Sequence, residues 1–309
     1  MLKLDGIASF VAVAEAGSIS EAARRLRLAK SVVSERLAEL ERNLGASLLH
    51  RTTRKLTLTE DGAAFLARAA HIVREVDEAA ADIAHRRGTL AGPLRISAPV
   101  TFGRMHLGPA LYPFLAEHPQ LALTLDLDDR RVDAAADGYD AVLRHGPIED
   151  SRLVASRLAP SRRLLLAAPD YLLRHGTPSS VEALQTHRGI FYLNRGIADW
   201  RFEGPSGALI VRAQVGLRVN NGDMMRDAAV AGLGIALLPS FIAGAALKSG
   251  ALQSIEVGVR AYTEYIYVAH PEGRRPSAKL KAFIECLRRA FGSPPYWDAE
   301  VGGAGAQTS

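Results

Sequence analysis

Three helix stops fall within the first 45 residues, so the chain must begin with short helices packed on one another and not with one long element. Leu4, Ile7, Ala8, Phe10, Val11 and Ala14 recur at helical spacing, and Gly17 ends that run. Ser18 starts the next: with Glu21 it has the form of a capping box, in which each side chain meets the other residue's free backbone N–H. This second helix reaches to about Leu26. "RLAK" then breaks the pattern, and Val32, Val33, Leu37, Leu40 and Leu44 resume it before Gly45 supplies the stop.

The period then changes. In "LLHRTTRKLTLTEDG" Leu56 and Leu58 alternate with polar neighbours, which predicts a small β-hairpin or wing. Thr59 caps a long helix whose first turn carries Glu60 and Asp61, the sign that the helix dipole favours. Along it Phe65, Ile72, Val76 and Ile83 keep to one narrow stripe with alanines between them, a seam suited to pairing with another helix. "RRGTLAGPLRISAP" ends the helix at Gly88 and opens a strand at Leu94, the clearest boundary in the chain.

Beyond it, "LRISA", "LALTLDL", "YDAVLRHG", "RLLLAAP", "GIFYLN", "AQVGLRVN", "GIALLP" and "EYIYVAH" read as strands. Helices near Arg104 to Ala116, Met224 to Ala231 and Ser277 to Phe291 are interspersed, so an α/β region with mostly parallel sheets is expected. "GSPPYWDAEVGGAGAQTS" ends the chain as a loose tail by its Gly, Pro and Ser content.

Charge is concentrated at the front. From Arg24 to Lys55 there are nine basic and three acidic residues, a local +6 within a chain whose total is +5, so the remainder is close to neutral. A basic window of this kind favours a polyanionic partner. Cys286 is the only cysteine, which excludes an intramolecular disulfide and a cysteine-built zinc site and suits a reducing compartment. Asp5 and Glu15 flank a short, periodic N-terminal apolar run, which is unlike a signal peptide, and no run approaches the ~20 apolar residues that span a bilayer. A cytoplasmic protein without membrane contact is expected.

Two short helices joined by a tight turn, the second with basic and hydroxyl residues at its start, meet the requirements of a helix-turn-helix. Its second helix enters the major groove N-terminus first, which sets Lys30, Ser31 and Ser34 to face DNA, with Ser18 and Arg36 nearby. Arg51, Arg54 and Lys55 on the hairpin would reach the flanking backbone or minor groove. A helical bundle with a solvated basic face is the competing reading, and the spacing of turn, cap and wing argues against it.

The stretch from Phe10 to Gly62 closely resembles the winged helix-turn-helix of LysR-type transcriptional regulators. Phe10, Gly17-Ser18, Ala22-Ala23, Leu26, Ser34, Leu40-Glu41, Leu44-Gly45, Leu48, Arg51, Leu58-Thr59 and Gly62 carry the resemblance. The likeness extends over nearly the whole chain and implies an α+β multidomain protein. Its parts would be a winged helix-turn-helix at 1–60, a linker and dimerisation helix at 61–90, and a periplasmic-binding-protein-like (type 2) effector domain at 91–292. That domain would have two subdomains, about 92–160 with 268–292 and about 161–267, followed by a flexible tail at 293–309. Two departures stand out: Ala29-Lys30 occupies the place where many relatives have Ser-Gln, and Glu35 one where a basic or amide residue is common. Base preference is therefore not transferable, because a lysine takes guanine acceptors or a phosphate whereas a glutamine commonly reads adenine.

The resemblance also implies partners: double-stranded promoter DNA with paired half-sites, further copies of the chain as a homodimer or homotetramer, and RNA polymerase. It implies no cofactor beyond a small-molecule effector in the cleft between the subdomains. Strand ends and helix starts nominate the effector-binding residues: Ser97, Thr101 and Phe102, Arg144 and His145, Tyr192 and Asn194, Asn220 and Asn221, and Pro239. Arg144 suggests a carboxylate or another anion, with an ion pair to Asp133, Asp137 or Asp140 as the competing role. His145 has no second ligand at metal spacing. Gly232 and Gly234 precede a strand where a dinucleotide loop would follow one. G-x-S-x-G, H-E-x-x-H and G-K-[ST] are absent, so no catalytic residue is expected. The α/β half taken alone would also fit a small-molecule binding module or transport component, or an enzyme on the same scaffold.

Overall fold

A computed structural model of the protein describes residues 2–51, 56–86, 89–130, 132–134, 137–148, 150–198, 200–204, 207–272 and 276–299. The chain forms two compact units, divided in sequence between Gly92 and Pro93. Among the described residues no helix is long and apolar enough to cross a membrane.

The first unit comprises α1 (Leu4–Ala16), α2 (Ile19–Leu26), α3 (Lys30–Leu44), the antiparallel hairpin β1 (Leu49–Arg51) and β2 (Leu56–Leu58), and α4 (Glu60–Arg86). Its core holds Phe10, Val33, Leu37 and Leu48, all essentially inaccessible to solvent. Gly17 and Gly45 end α1 and α3 in the left-handed conformation that favours glycine. Only half of the expected capping box forms. Ser18 Oγ accepts from the Glu21 amide at 3.4 Å, while the Glu21 carboxylate turns outward to Arg24 and Arg25.

Two contacts lock the hairpin to the helices. Glu41 Oε1, on α3, accepts from the amides of Leu48 (2.8 Å) and Leu49 (3.3 Å). Thr59 Oγ1 donates to Ser47 O (2.7 Å) and caps α4 by accepting from the Gly62 amide (2.9 Å). At Gly62 the helix start presses on the Leu48 carbonyl so closely that a Cβ would overlap the oxygen.

The second unit is built from two five-stranded sheets. The first subdomain contains β3 (Gly92–Ala98), α5 (Val100–Phe102), a π-helical turn (Gly103–Leu107), α6 (Gly108–Glu117), β4 (Leu121–Leu127), β5 (Ala141–His145) and β6 (Leu153–Ser161). The chain then crosses to β7 (Arg163–Ala167), α7 (Pro169–His175), β8 (Arg188–Tyr192), the hairpin β9 (Arg201–Gly204) and β10 (Gly207–Ile210), β11 (Gln214–Val219), α8 (Gly222–Val230), β12 (Ile235–Pro239), α9 (Ser240–Lys248) and β13 (Gln253–Ser254). It returns through β14 (Glu264–Pro271) and α10 (Ala278–Phe291), and ends the described region with α11 (Tyr296–Ala299).

The strand orders are β4-β3-β5-β14-β6 and β11-β8-β12-β7-β13. Each sheet is mixed, the expected parallel run being interrupted by one strand reversed against both of its neighbours. The returning β14 runs antiparallel to both β5 and β6, and β7 runs antiparallel to β12 and β13. The long partner strand β6 was not foreseen, since "LVASRLAPS" is largely exposed before Leu158 and lacks a clean alternation. Because β14 begins at Glu264 within the first sheet, the second crossing precedes it, earlier than the expected boundary at 268. Over its described part, up to Ala299, the expected loose tail departs from the structure: Trp297 is 2% exposed and packs among Phe102, His106, Phe291 and Phe241, while residues 300–309 lie outside the described residues. Two prolines and a glycine shape this segment, while its aromatic residues find a hydrophobic seat that composition alone conceals.

Candidate DNA-binding face and effector cleft

The start of α3 is open. Ala29 supplies no side-chain cap, so the first-turn N–H groups of this helix are left for an external acceptor such as a phosphate oxygen. Lys30 and Ser31 are exposed beside them, and Ser34 is half-buried one turn on, above the Lys30 side. Arg36 stands apart from this group. Two residues beyond Ser34 it points around the helix towards α1, where it pairs with Asp5 at 2.9 Å. An exposed pair of this kind is worth only ~0–1 kcal/mol, so it is the direction of the side chain that separates Arg36 from the cluster. Ser18 acts as the α2 cap. Arg51 ends β1, its side chain lying outside the described residues, as do Arg54 and Lys55.

Of the α4 seam residues, Ile72 and Val76 are 42% and 44% exposed, one turn apart on the outer face. Phe65 faces inward instead and stacks against Phe10 with ring centroids 5.6 Å apart, so it belongs to the unit's own core. The Ile83 side chain lies outside the described residues.

In the second unit a cavity of about 960 Å³ lies between the two subdomains. Thr101, Phe102, Arg144, His145, Tyr192, Asn194 and Pro239 line it, while the expected Ser97, Asn220 and Asn221 do not. Ser97 stands behind Arg144, accepting from its Nη2 at 3.2 Å, and Asn221 caps α8 by accepting from the Met224 amide at 3.1 Å. The Arg144 guanidinium also donates to its neighbour Leu143 O (2.7 Å) and, among the described residues, makes no ion pair. Burial disfavours its charged form, and Asp128 and Asp129 offset this only at longer range. An arginine nevertheless stays protonated, leaving a half-buried cation on the cavity wall with unspent donor capacity. Among the described residues the competing ion pair with Asp133, Asp137 or Asp140 does not form.

Polar bridges span the cleft at several places among the described residues. Asn194 Nδ2 donates to Asp129 O at 3.2 Å. Asp223, at the start of α8, accepts from Thr101 Oγ1 (3.2 Å) and Arg104 (2.7 Å). Arg195 reaches from the second subdomain to Glu264, with one bond of 2.8 Å, and to His145 Nδ1 at 3.2 Å. His145 Nε2 lies 3.2 Å from Glu264 and 3.1 Å from Ser161 Oγ. Since Arg195 can only donate, Nδ1 must accept, which assigns the neutral Nε2–H tautomer. Burial pushes the His145 pKa down to about 3, aided by the Arg195 and Arg163 charges and opposed by Glu264. Burial alone would raise Glu264, but His145, Arg163 and Arg195 hold it at about 2.

Sequence reasoning missed Arg163, Arg195, Asp223 and Glu264. Arg195 and Glu264 flank predicted strand ends, and the Asn221–Asp223 start of α8 is the one local signal that could have found Asp223. The polar network itself depends on residues 50 to 122 positions apart meeting across the cleft.

Residues 4–63 match the family model described as a bacterial regulatory helix-turn-helix protein of the lysR family, and residues 87–292 match the LysR substrate binding domain. An uncharacterized HTH-type transcriptional regulator of Haemophilus influenzae is 34% identical over 91% of this chain and 98% of its own. The HTH-type transcriptional regulator PtxR of Pseudomonas aeruginosa is 32% identical over 96% and 95%. Among solved structures, CrgA, a LysR-type transcriptional regulator from Neisseria meningitidis, is similar over 93% of this chain and 98% of that one, with a TM-score of 0.60 and 28% identity.

Proposed function

The chain belongs to the LysR family of transcriptional regulators, and on that premise we propose how its own residues divide the work of recognising DNA and sensing a ligand. A LysR-type regulator binds DNA through its helix-turn-helix and a small molecule through its effector domain, and it is not an enzyme. Here Lys30, Ser31 and Ser34 read base edges while the uncapped start of α3 holds a phosphate. Ser18 orients α2 behind them, and Arg51, Arg54 and Lys55 bind the flanking backbone from the wing. Two chains pair along α4 through Ile72, Val76 and Ile83, as a homodimer or a pair of dimers, and the assembly contacts RNA polymerase in the cytoplasm.

The effector is a small anion, most simply a carboxylate. The observation that carries this reading is the half-buried Arg144 on the cavity wall, held by Ser97 and Leu143 O without a carboxylate partner. Thr101, Asn194 and Tyr192 offer further polar contacts, with Phe102, Pro239 and His145 completing the walls. A ligand that favours one opening of the cleft over another shifts the population by that difference in affinity, and this is the basis of the regulatory response.

Footprinting of the purified protein on DNA upstream of its own and the adjacent divergent gene, at two salt concentrations, tests the DNA half. Paired, salt-sensitive half-sites are expected. Lys30→Ala should weaken specific binding by ~1–3 kcal/mol, whereas Arg54→Ala should weaken all sequences alike; an equal loss on all DNA for both would remove Lys30 from base readout. For the sensing half, a panel of small carboxylates should alter the footprint or raise the unfolding temperature of the native protein and not of Arg144→Gln. A response retained by Arg144→Gln would refute the anion assignment.

A further inference from the structure

The last described segment of the chain touches both subdomains and the strand that joins them. From the first subdomain, Phe102, His106 and Phe291 surround the Trp297 indole at ring-centroid distances of 6.0, 4.8 and 5.2 Å. From the second, Phe241 on α9 meets it edge to face at 6.4 Å. Phe102 and Phe241 are themselves in T-shaped contact at 5.3 Å, and both line the effector cavity, whereas Trp297 does not. The indole therefore supports a pair of cavity-wall rings that come from opposite sides of the cleft.

A hydrogen-bond relay runs through the same place. His106 Nε2 lies 2.9 Å from the carbonyl of Phe241, which can only accept, so Nε2 carries the proton and Nδ1 accepts from the Tyr296 hydroxyl at 2.5 Å. Burial lowers the His106 pKa, which favours this neutral form. The relay links the tail to the first subdomain at His106 and onward to the second at Phe241. His106 comes from the π-helical turn, which also presents Arg104 to Asp223 across the cleft. The third attachment is at the hinge. Arg162, the single residue between β6 and β7, donates to Asp298 O at 3.3 Å and lies 3.5 Å from its carboxylate.

The fit is not fully satisfied: among the described residues Trp297 Nε1 and Asp298 Oδ1 are buried without a hydrogen-bond partner. Buried unpaired polar atoms weaken a docked state relative to an apolar filler of the same shape. That is the property of a contact that can be released.

We propose that Tyr296–Asp298 forms an interlobe clamp, which holds Phe102 and Phe241 together across the cleft and sets its resting opening. These are positioning residues for the effector site, acting through the two phenylalanines and the hinge. The proposal rests on the cleft being the effector site only for its regulatory consequence. The clamp itself is tested without any ligand.

The test is a pulsed electron–electron resonance measurement on the full-length protein. Spin labels are attached at Tyr112→Cys in the first subdomain and Leu173→Cys in the second, both strongly exposed positions, and the labelled chain is diluted with unlabelled chain so that each assembly carries one pair. Cys286 is buried and shielded from the label. Trp297→Ala should lengthen and broaden the distance distribution, and Trp297→Phe, which keeps a ring in the seat, should restore most of the native one. Tyr296→Phe removes only the hydroxyl of the relay and should give a smaller change in the same direction. It also serves if Trp297→Ala does not fold, and a native distribution in it would then count against the clamp. An unchanged distribution in folded Trp297→Ala, or an equal opening in the alanine and phenylalanine variants, would overturn the proposal. Failure of the anion assignment would appear separately, as a carboxylate response that survives in Arg144→Gln.

Discussion

The hinge histidine makes a quantitative prediction. His145 is neutral in the folded protein with a pKa near 3, against 6.5 for an unperturbed imidazole. Between those values the unfolded chain binds a proton that the folded one refuses, so stability must fall as pH drops below about 6.5. From pH 7 to pH 5 the loss integrates to about 2 kcal/mol, less than the ~2.8 kcal/mol of one proton fully linked over both units because the unfolded imidazole takes up its proton only around pH 6.5. For a unit of roughly 200 residues this is ~4–8 °C of unfolding temperature. The perturbation is His145→Gln, whose amide can accept from Arg195 and donate to Glu264 as the imidazole does, without titrating. Glu264, with its pKa near 2, stays ionised throughout this window and does not contribute. Burial also lowers His106 and His187, but these act equally in both proteins and cancel. The assay is thermal or urea unfolding of the two proteins at pH 7 and pH 5. The native protein should lose about 2 kcal/mol more than the variant, and equal losses would refute the neutral, donor-facing assignment of His145.

Other consequences follow from the first unit. Gly62→Ala drives a Cβ into the Leu48 carbonyl, and the resulting shift of β1 should cost ~1–3 kcal/mol; a urea midpoint indistinguishable from native would show that the close approach relaxes freely. Glu41→Ala strips the acceptor from two amides, those of the buried Leu48 and Leu49, and should cost ~2–4 kcal/mol, whereas Glu41→Gln should recover about half by retaining a neutral acceptor. Comparable stability of the alanine and glutamine variants would remove Glu41 as the tie between α3 and the wing. Ile72→Asp with Val76→Asp should give monomers by light scattering, and a persistent dimer would locate the interface elsewhere.

The elements that were legible in the sequence are those whose cause is local. Gly17 and Gly45 at positive φ, the Ser18 and Thr59 caps, and the Leu56–Leu58 alternation each act within a few residues of themselves. Arg144 and Thr101 were found on the cavity wall for a related reason, because strand ends and helix starts gather at an α/β cleft whichever strands are neighbours. Where a residue's role depends on rotation about a helix, pattern reading was less secure. Phe65 shares the α4 stripe with Ile72 and Val76, yet its ring meets Phe10. Arg36 shares the basic window with Lys30, yet it turns to Asp5.

By itself the sequence determined the order of parts: three short helices, a wing, a long helix and an α/β region, whose division into two subdomains was implied only by the resemblance to LysR-type regulators. Periodicity, caps and breakers act over one or two turns, and a linear pattern carries them intact. Only the tertiary structure decided the direction of β14, which enters between β5 and β6 and makes the sheet mixed, because strand polarity is settled by how the chain returns over more than 100 residues. It alone joined His145, Arg195 and Glu264 into one neutral-imidazole network, since a pKa shift depends on burial and on charges supplied from distant segments. It also seated Trp297 between Phe102 and Phe241, where hydrophobic burial and ring contacts outweigh the disorder that the Gly, Pro and Ser content of the surrounding segment predicts.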